Sequence, residues 1–197
     1  TNLSRDKVKE YLHEVLDFPT YDIVDFNYKE KKSELPEVAE TLNISVSNYA
    51  TSTGRRLFLV PNVMTRSYRK LSQDSVRKYD IDLTYAYKDI DSVEIELPGG
   101  YEPEAMPADV SVDSKFGRYD CSLKLKGDKL YYYRKVEKYT GHFPAKDYAD
   151  LVKFYDAIYK ADRNKVVLVK NAKQEEKKAF WHNHRYSAIS ETFIWKN

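Results

Sequence analysis

The sequence predicts a mainly β chain, an antiparallel β-sandwich of about seven or eight strands with one or two packed α-helices. Three observations predict it. From Pro19 to about residue 140 the apolar residues recur with a period of two, the spacing of strands with one buried face. Turn signals such as Leu97-Pro98-Gly99-Gly100 and Gly127-Asp128 separate the alternating runs. Helical spacing is confined to a stretch near the start and to residues of about 145–161. A chain of 197 residues, 42% hydrophobic and 32% charged, is long enough to bury a sizeable core and too apolar to be disordered.

The first element is a helix. Ser4 is placed to cap it, and Val8, Tyr11, Leu12, Val15 and Leu16 follow at helical spacing until Asp17-Phe18-Pro19 stops it. Leu42, Ile44 and Val46 then alternate with polar residues, and Leu57-Phe58-Leu59-Val60 forms a short apolar run closed by Pro61. Tyr79, Ile81, Leu83, Tyr85 and Tyr87 read as one strand of a hairpin. Its turn falls at Lys88-Asp89-Ile90-Asp91, and Val93, Ile95 and Leu97 lie on the return strand. Val110 and Val112 open a further strand. Tyr119, Cys121, Leu123 and Leu125 form the next, and Leu130, Tyr132, Arg134 and Val136 the one after the turn at Gly127. Tyr148, Leu151, Val152, Tyr155, Ile158 and Tyr159 give one apolar face to the second helix, and Val166-Val167-Leu168-Val169 reads as a last strand. Residues 171–197 are charged and then aromatic (Phe180, Trp181, Phe193, Trp195), which suits either an appended helix or a partly mobile tail.

Charge and composition exclude several function classes. Lys and Arg total 33 against 31 Asp and Glu. The tail holds five basic and three acidic residues, so the remaining 170 residues are neutral. Nucleic-acid binding, which needs a concentrated basic face, is not expected. No run of about 20 apolar residues exists to span a membrane, and no secretory leader opens the chain. A start at Thr1 rather than Met reads as a piece of a longer protein. The single Cys121 excludes an intramolecular disulfide and a Cys-rich zinc site.

Motifs for chemistry are sparse. Cys121 falls at an inward strand position with no supporting His and Asp pattern, so it reads as a small buried hydrophobe rather than a nucleophile. His182 and His184 form a His-x-His pair with no third ligand in view, and no metal or cofactor is expected. His13 and His142 read as packing or surface residues. The pairs Asp89/Asp91 and Glu94/Glu96 read as solvated, at a hairpin tip and on a wet strand face. No Gly-rich phosphate loop and no Gly-x-Ser-x-Gly elbow is present. The unusual number is 18 Tyr. In Tyr131-Tyr132-Tyr133, alternation sends Tyr132 one way and its neighbours the other. If Tyr132 is inside, Tyr131 and Tyr133 face out together, either beneath a helix or neighbouring domain or as a stacking surface for a sugar or protein.

Between residues 97 and 168 the sequence resembles a known family. The resemblance is carried by Leu97-Pro98-Gly99-Gly100-Tyr101, Met106-Pro107, Phe116-Gly117-Arg118-Tyr119, Tyr133-Arg134, Phe143-Pro144, Asp147-Tyr148, Phe154 and Ala161-Asp162-Arg163-Asn164-Lys165-Val166-Val167-Leu168. It is similar to the C-terminal β-rich domain of unknown function in multidomain transglutaminase-like proteins of Bacteroides-type bacteria, which have a papain-like core. The resemblance implies an extracytoplasmic protein, periplasmic, outer-surface or secreted, and a partner in the form of an upstream transglutaminase-like domain of the same polypeptide. The core's catalytic motif has no counterpart here, so no catalytic residue carries over. On this reading residues 1–36 are a helix and connector from an upstream domain. Residues 37–170 are a β-sandwich accessory domain, not itself an enzyme, and 171–197 are an aromatic and basic tail. The rival readings are a module that binds cell-surface glycan or peptide through Tyr131 and Tyr133, and an independent hydrolase using Cys121.

Overall fold

The computed structural model describes residues 4–16, 18–32, 36–72, 77–171 and 188–196. Ser4 caps the first helix, α1 (Arg5–Val15), by accepting from the Lys7 N–H. The strands that follow are β1 (Thr20–Lys31), β2 (Glu37–Ser47), β3 (Thr51–Thr53), β4 (Arg56–Leu59), β5 (Ile81–Leu83), β6 (Tyr87–Glu96), β7 (Tyr101–Ala105), β8 (Val110–Ser114), β9 (Gly117–Lys126), β10 (Lys129–Lys138) and β11 (Gly141–Phe143). A single 3₁₀ turn at Ala145–Asp147 leads into α2 (Tyr148–Ala161). The strands β12 (Val166–Lys170) and β13 (Ala188–Lys196) close the described chain.

Every pairing is antiparallel. One large sheet runs β1-β2-β13-β6-β10-β9-β8, a second runs β3-β4-β12-β7, and β11 pairs with β5. The result is a β-sandwich-like fold with more and shorter strands than eight. Alternation along β10 sets the faces: Leu130, Tyr132, Arg134, Val136 and Lys138 are buried, while Tyr131 and Tyr133 are exposed.

Two apolar cores lie on the inner face of the large sheet. In the first, Leu12 and Leu16 at the C-terminal end of the first helix join Leu42 and Ile44 of β2, Leu57 and Leu59 of β4, Leu130 of β10 and Leu168 of β12. In the second, Leu151, Phe154, Tyr155 and Ile158 of α2 pack on Tyr119 of β9, Val136 of β10, and Ile81 and Leu83 of β5. Each fully buried Leu or Ile contributes about 1.5–3 kcal/mol. Gly117 begins β9 at a point where a Cβ would lie 2.1 Å from the Glu137 carbonyl oxygen, so the β9–β10 approach requires glycine there. Among the described residues no helix is long and apolar enough to cross a membrane.

Four expectations are corrected. The run from Tyr79 to Tyr87 is not one strand: Ile81–Leu83 forms the short β5, Tyr87 already belongs to β6, and Tyr79 before them and Tyr85 between them are exposed. Asp89 and Asp91 do not form a hairpin tip, because they lie within β6, opposite Val136 and Arg134 of β10. The segment before residue 36 is more than a connector, since β1 pairs with β2 along its length. Part of the supposed tail is structured too. β13 runs between β2 and β6, with Ile189 opposite both Ile44 and Ile95. His182 and His184 lie outside the described residues.

Candidate functional site

Between the two cores the inner face turns polar. Arg134, 5% exposed, is held between two carboxylates, Asp91 and Asp162, each 1% exposed. Its Nη1 donates to Asp91 Oδ2 at 2.7 Å and its Nε to Asp162 Oδ1 at 2.9 Å. Asp162 follows the last residue of α2 and also accepts from the Tyr119 hydroxyl at 2.9 Å and the Ser67 N–H at 2.7 Å. Asp91 accepts from Thr65 Oγ1 at 2.8 Å. Thr65 belongs to a turn in which Asn62 Oδ1 accepts from the Thr65 N–H at 3.0 Å. One guanidinium therefore ties β6, β10, the end of α2 and the 62–67 loop together. Burial alone would lower the pKa of Arg134, but the two carboxylates outweigh burial and raise it. The network is closed on itself, which suits a structural role.

Beside this network a cleft of about 350 Å³ opens between the inner face and α2. Asp89 lies in it, and burial together with the neighbouring Asp91 pushes its carboxyl up to about 6. Lys138 lies in it as well. Its ammonium is 4.3 Å from the Tyr85 ring centroid and 5.9 Å from that of Tyr87. Burial and the nearby Arg69 lower its pKa. Sequence reasoning missed this cleft because it put Asp89 in a turn.

The other face of β10 holds the two residues the sequence singled out. Tyr131 is 37% and Tyr133 38% exposed, with Tyr132 inside as the alternation requires. The register sets Tyr131 between Glu94 and Lys124, and Tyr133 between Ser92 and Ser122. The small serines leave an open depression of about 480 Å³ around the two rings. α2 covers the opposite face of the sheet, packing against Val136 and Tyr119. Other tyrosines serve α2 instead. Arg77 lies over the Tyr148 ring at 5.3 Å, Arg69 over Tyr155 at 5.1 Å and Lys70 over Tyr159 at 5.6 Å, which holds these three cations against the helix.

Cys121 is half-buried, packed against both cores, and burial raises its pKa although the neighbouring Tyr119 and Tyr132 hydroxyls oppose the rise. A thiol in this setting is a poor nucleophile. His142 Nδ1 lies 2.5 Å from Asp82 Oδ1 and Nε2 lies 3.1 Å from Asp80 Oδ2, so both ring nitrogens face carboxylates on the surface. His13 Nδ1 lies 3.1 Å from the Tyr21 hydroxyl. Among the described residues no group of three His, Cys, Asp or Glu side chains could hold a metal ion.

Residues 55–168 match the family described as a Domain of Unknown Function with solved-structure structure (DUF3858). The chain belongs to the DUF3858 family. The DUF3858 region spans β4 to the middle of β12. It contains the whole Asp91–Arg134–Asp162 network and the Tyr131/Tyr133 face, while β1, β2 and β13 lie outside it. No curated protein and no solved structure matches the chain.

Proposed function

We propose that this DUF3858 chain is a non-catalytic accessory domain of an extracytoplasmic transglutaminase/peptidase-like protein, supporting the papain-like core or contacting substrate beside it. The observation that carries the reading is the division of labour along β10. Its inward charges are consumed by a closed network that holds the fold. Its outward Tyr131 and Tyr133 stand on a sheet face that no described element covers. Membership of a domain family of unknown function agrees with the resemblance to the β-rich domain that follows such cores. The half-buried thiol of Cys121 favours this reading over an independent hydrolase.

The test uses the polypeptide with its transglutaminase-like core. Replacing both Tyr131 and Tyr133 with Ala should lower turnover of a peptide substrate by about tenfold, a loss of ~1.4 kcal/mol, while Cys121→Ser leaves it unchanged. Unchanged turnover in the double variant would remove the outer face from the proposal. Loss of turnover with Cys121→Ser would revive the hydrolase.

A second reading is favoured by the serine-flanked depression around Tyr133. Aromatic faces ringed by hydroxyls, with Glu94 and Lys124 balancing charge, suit a neutral cell-surface glycan better than a charged polymer. Binding of the isolated chain to a glycan array, lost in the double variant, would support it, and an array without hits would count against it.

A further inference from the structure

We infer that the inner cleft between β10 and α2 is a binding site for a small zwitterion, a free apolar α-amino acid or a dipeptide. The inference stands apart from the reading of the outer face, since it uses the opposite side of the sheet. Its first support is a pair of opposite charges without partners. Among the described residues, the Oδ1 atom of Asp89 is buried and accepts no hydrogen bond. Lys138 makes no ion pair among the described residues, and its ammonium, which is not sealed from the cleft, has the Tyr85 and Tyr87 rings and the like charge of Arg69 near it. Among the described residues neither charge has an ion-pair partner of opposite sign in the cleft, so a group of opposite charge arriving from outside gains what the protein has not supplied.

The second support is geometry. Asp89 lies opposite Val136 and Lys138 opposite Tyr87, so the two charges occupy adjacent strands two residues out of step. They do not pair with each other, and both line the same cleft. An ammonium at Asp89 and a carboxylate at Lys138 would satisfy both at once. The third support is the remaining wall. Val136, Phe154 and Ile158 offer an apolar surface for a side chain, and Ser67 adds a polar group. A volume of about 350 Å³ is at the small end of the range for ligand pockets.

Binding is read by thermal shift and calorimetry on the 197-residue chain with L-leucine, L-phenylalanine and the dipeptide Ala-Phe. The controls are N-acetyl-L-phenylalanine amide, which carries neither charge, and glucose, which fills a similar space. At saturation at least one zwitterion should raise Tm by about 2–4 °C, and the two controls should not. Asp89→Asn and Lys138→Met should each weaken the affinity for that zwitterion by about tenfold or more. The comparison of free and blocked phenylalanine needs no variant, so it decides the matter even if a substitution unfolds the chain. The inference is overturned if none of the three zwitterions raises Tm, if the blocked compound or glucose binds equally well, or if both folded variants bind as the parent does.

Discussion

The two faces of β10 differ in what their polar atoms do, although they alternate along ten residues of one strand. On the inner face Arg134 spends its donors on Asp91 and Asp162, and Tyr132 and Leu130 fill the first core. On the outer face Lys135 and Glu137 form a 2.9 Å surface pair, and Tyr131 and Tyr133 remain open. The same residue type is therefore structural at 132 and available at 131 and 133. A large count of tyrosines is not one signal, because position relative to the pleat decides the role of each.

The largest way to break this contrast is to remove the inner charge. Arg134→Met leaves two buried carboxylates unpaired and should destabilise the fold by about 3–5 kcal/mol in chemical denaturation. Neutralising both partners in the same chain, Asp91→Asn and Asp162→Asn, should recover part of that loss. A loss under about 1 kcal/mol for Arg134→Met would mean that the network does not clamp the fold. Next in size is Gly117→Ala. Its Cβ would meet the Glu137 carbonyl at 2.1 Å, so a loss of more than ~1 kcal/mol is expected. An unchanged midpoint of denaturation would show that β9 can move away from β10 at no cost.

A pH series sharpens the inner face further. The folded-state pKa of Asp89 lies near 6, above the usual carboxylate value, so the folded state binds its proton more tightly than the unfolded state does. Its contribution is fully present below the unfolded pKa and is lost as pH rises through about 6. Relative to Asp89→Asn, the parent chain should therefore lose stability between pH 4 and pH 7. Equal pH profiles for the two chains would contradict the burial of this carboxyl. The smallest effect belongs to the outer face, where Tyr131→Ala or Tyr133→Ala should change stability by no more than about 0.5–1 kcal/mol.

Legibility in the sequence followed the cleanness of the pattern. β8, β9, β10 and α2 were readable because their apolar residues keep one period and their turns carry Gly127 or Pro144. β1 was not, since Ile23 and Phe26 are its two buried residues and a register shift between Ile23 and Asp25 breaks the alternation. β6 was misread for a different reason. Its inward positions 89 and 91 carry carboxylates, which look like turn residues until Arg134, 43 positions later, is seen to meet Asp91. The exposure of Tyr131 and Tyr133 followed from the pleat alone. The cleft did not, because it depends on Asp89 facing inward and on a loop around Ser67 that has no periodicity. For β13, nothing in a mixed run of charged and aromatic residues announces a strand that will pair with both β2 and β6.

Most direct is a paired measurement on one variant, Tyr131→Ala with Tyr133→Ala, placed in the polypeptide that carries the transglutaminase-like core. Tm of this domain and turnover of a peptide substrate are followed together. The account predicts that turnover falls while Tm stays within about 2 °C of the parent. A Tm that drops as far as that of Leu130→Ala, or turnover that does not move, would contradict it.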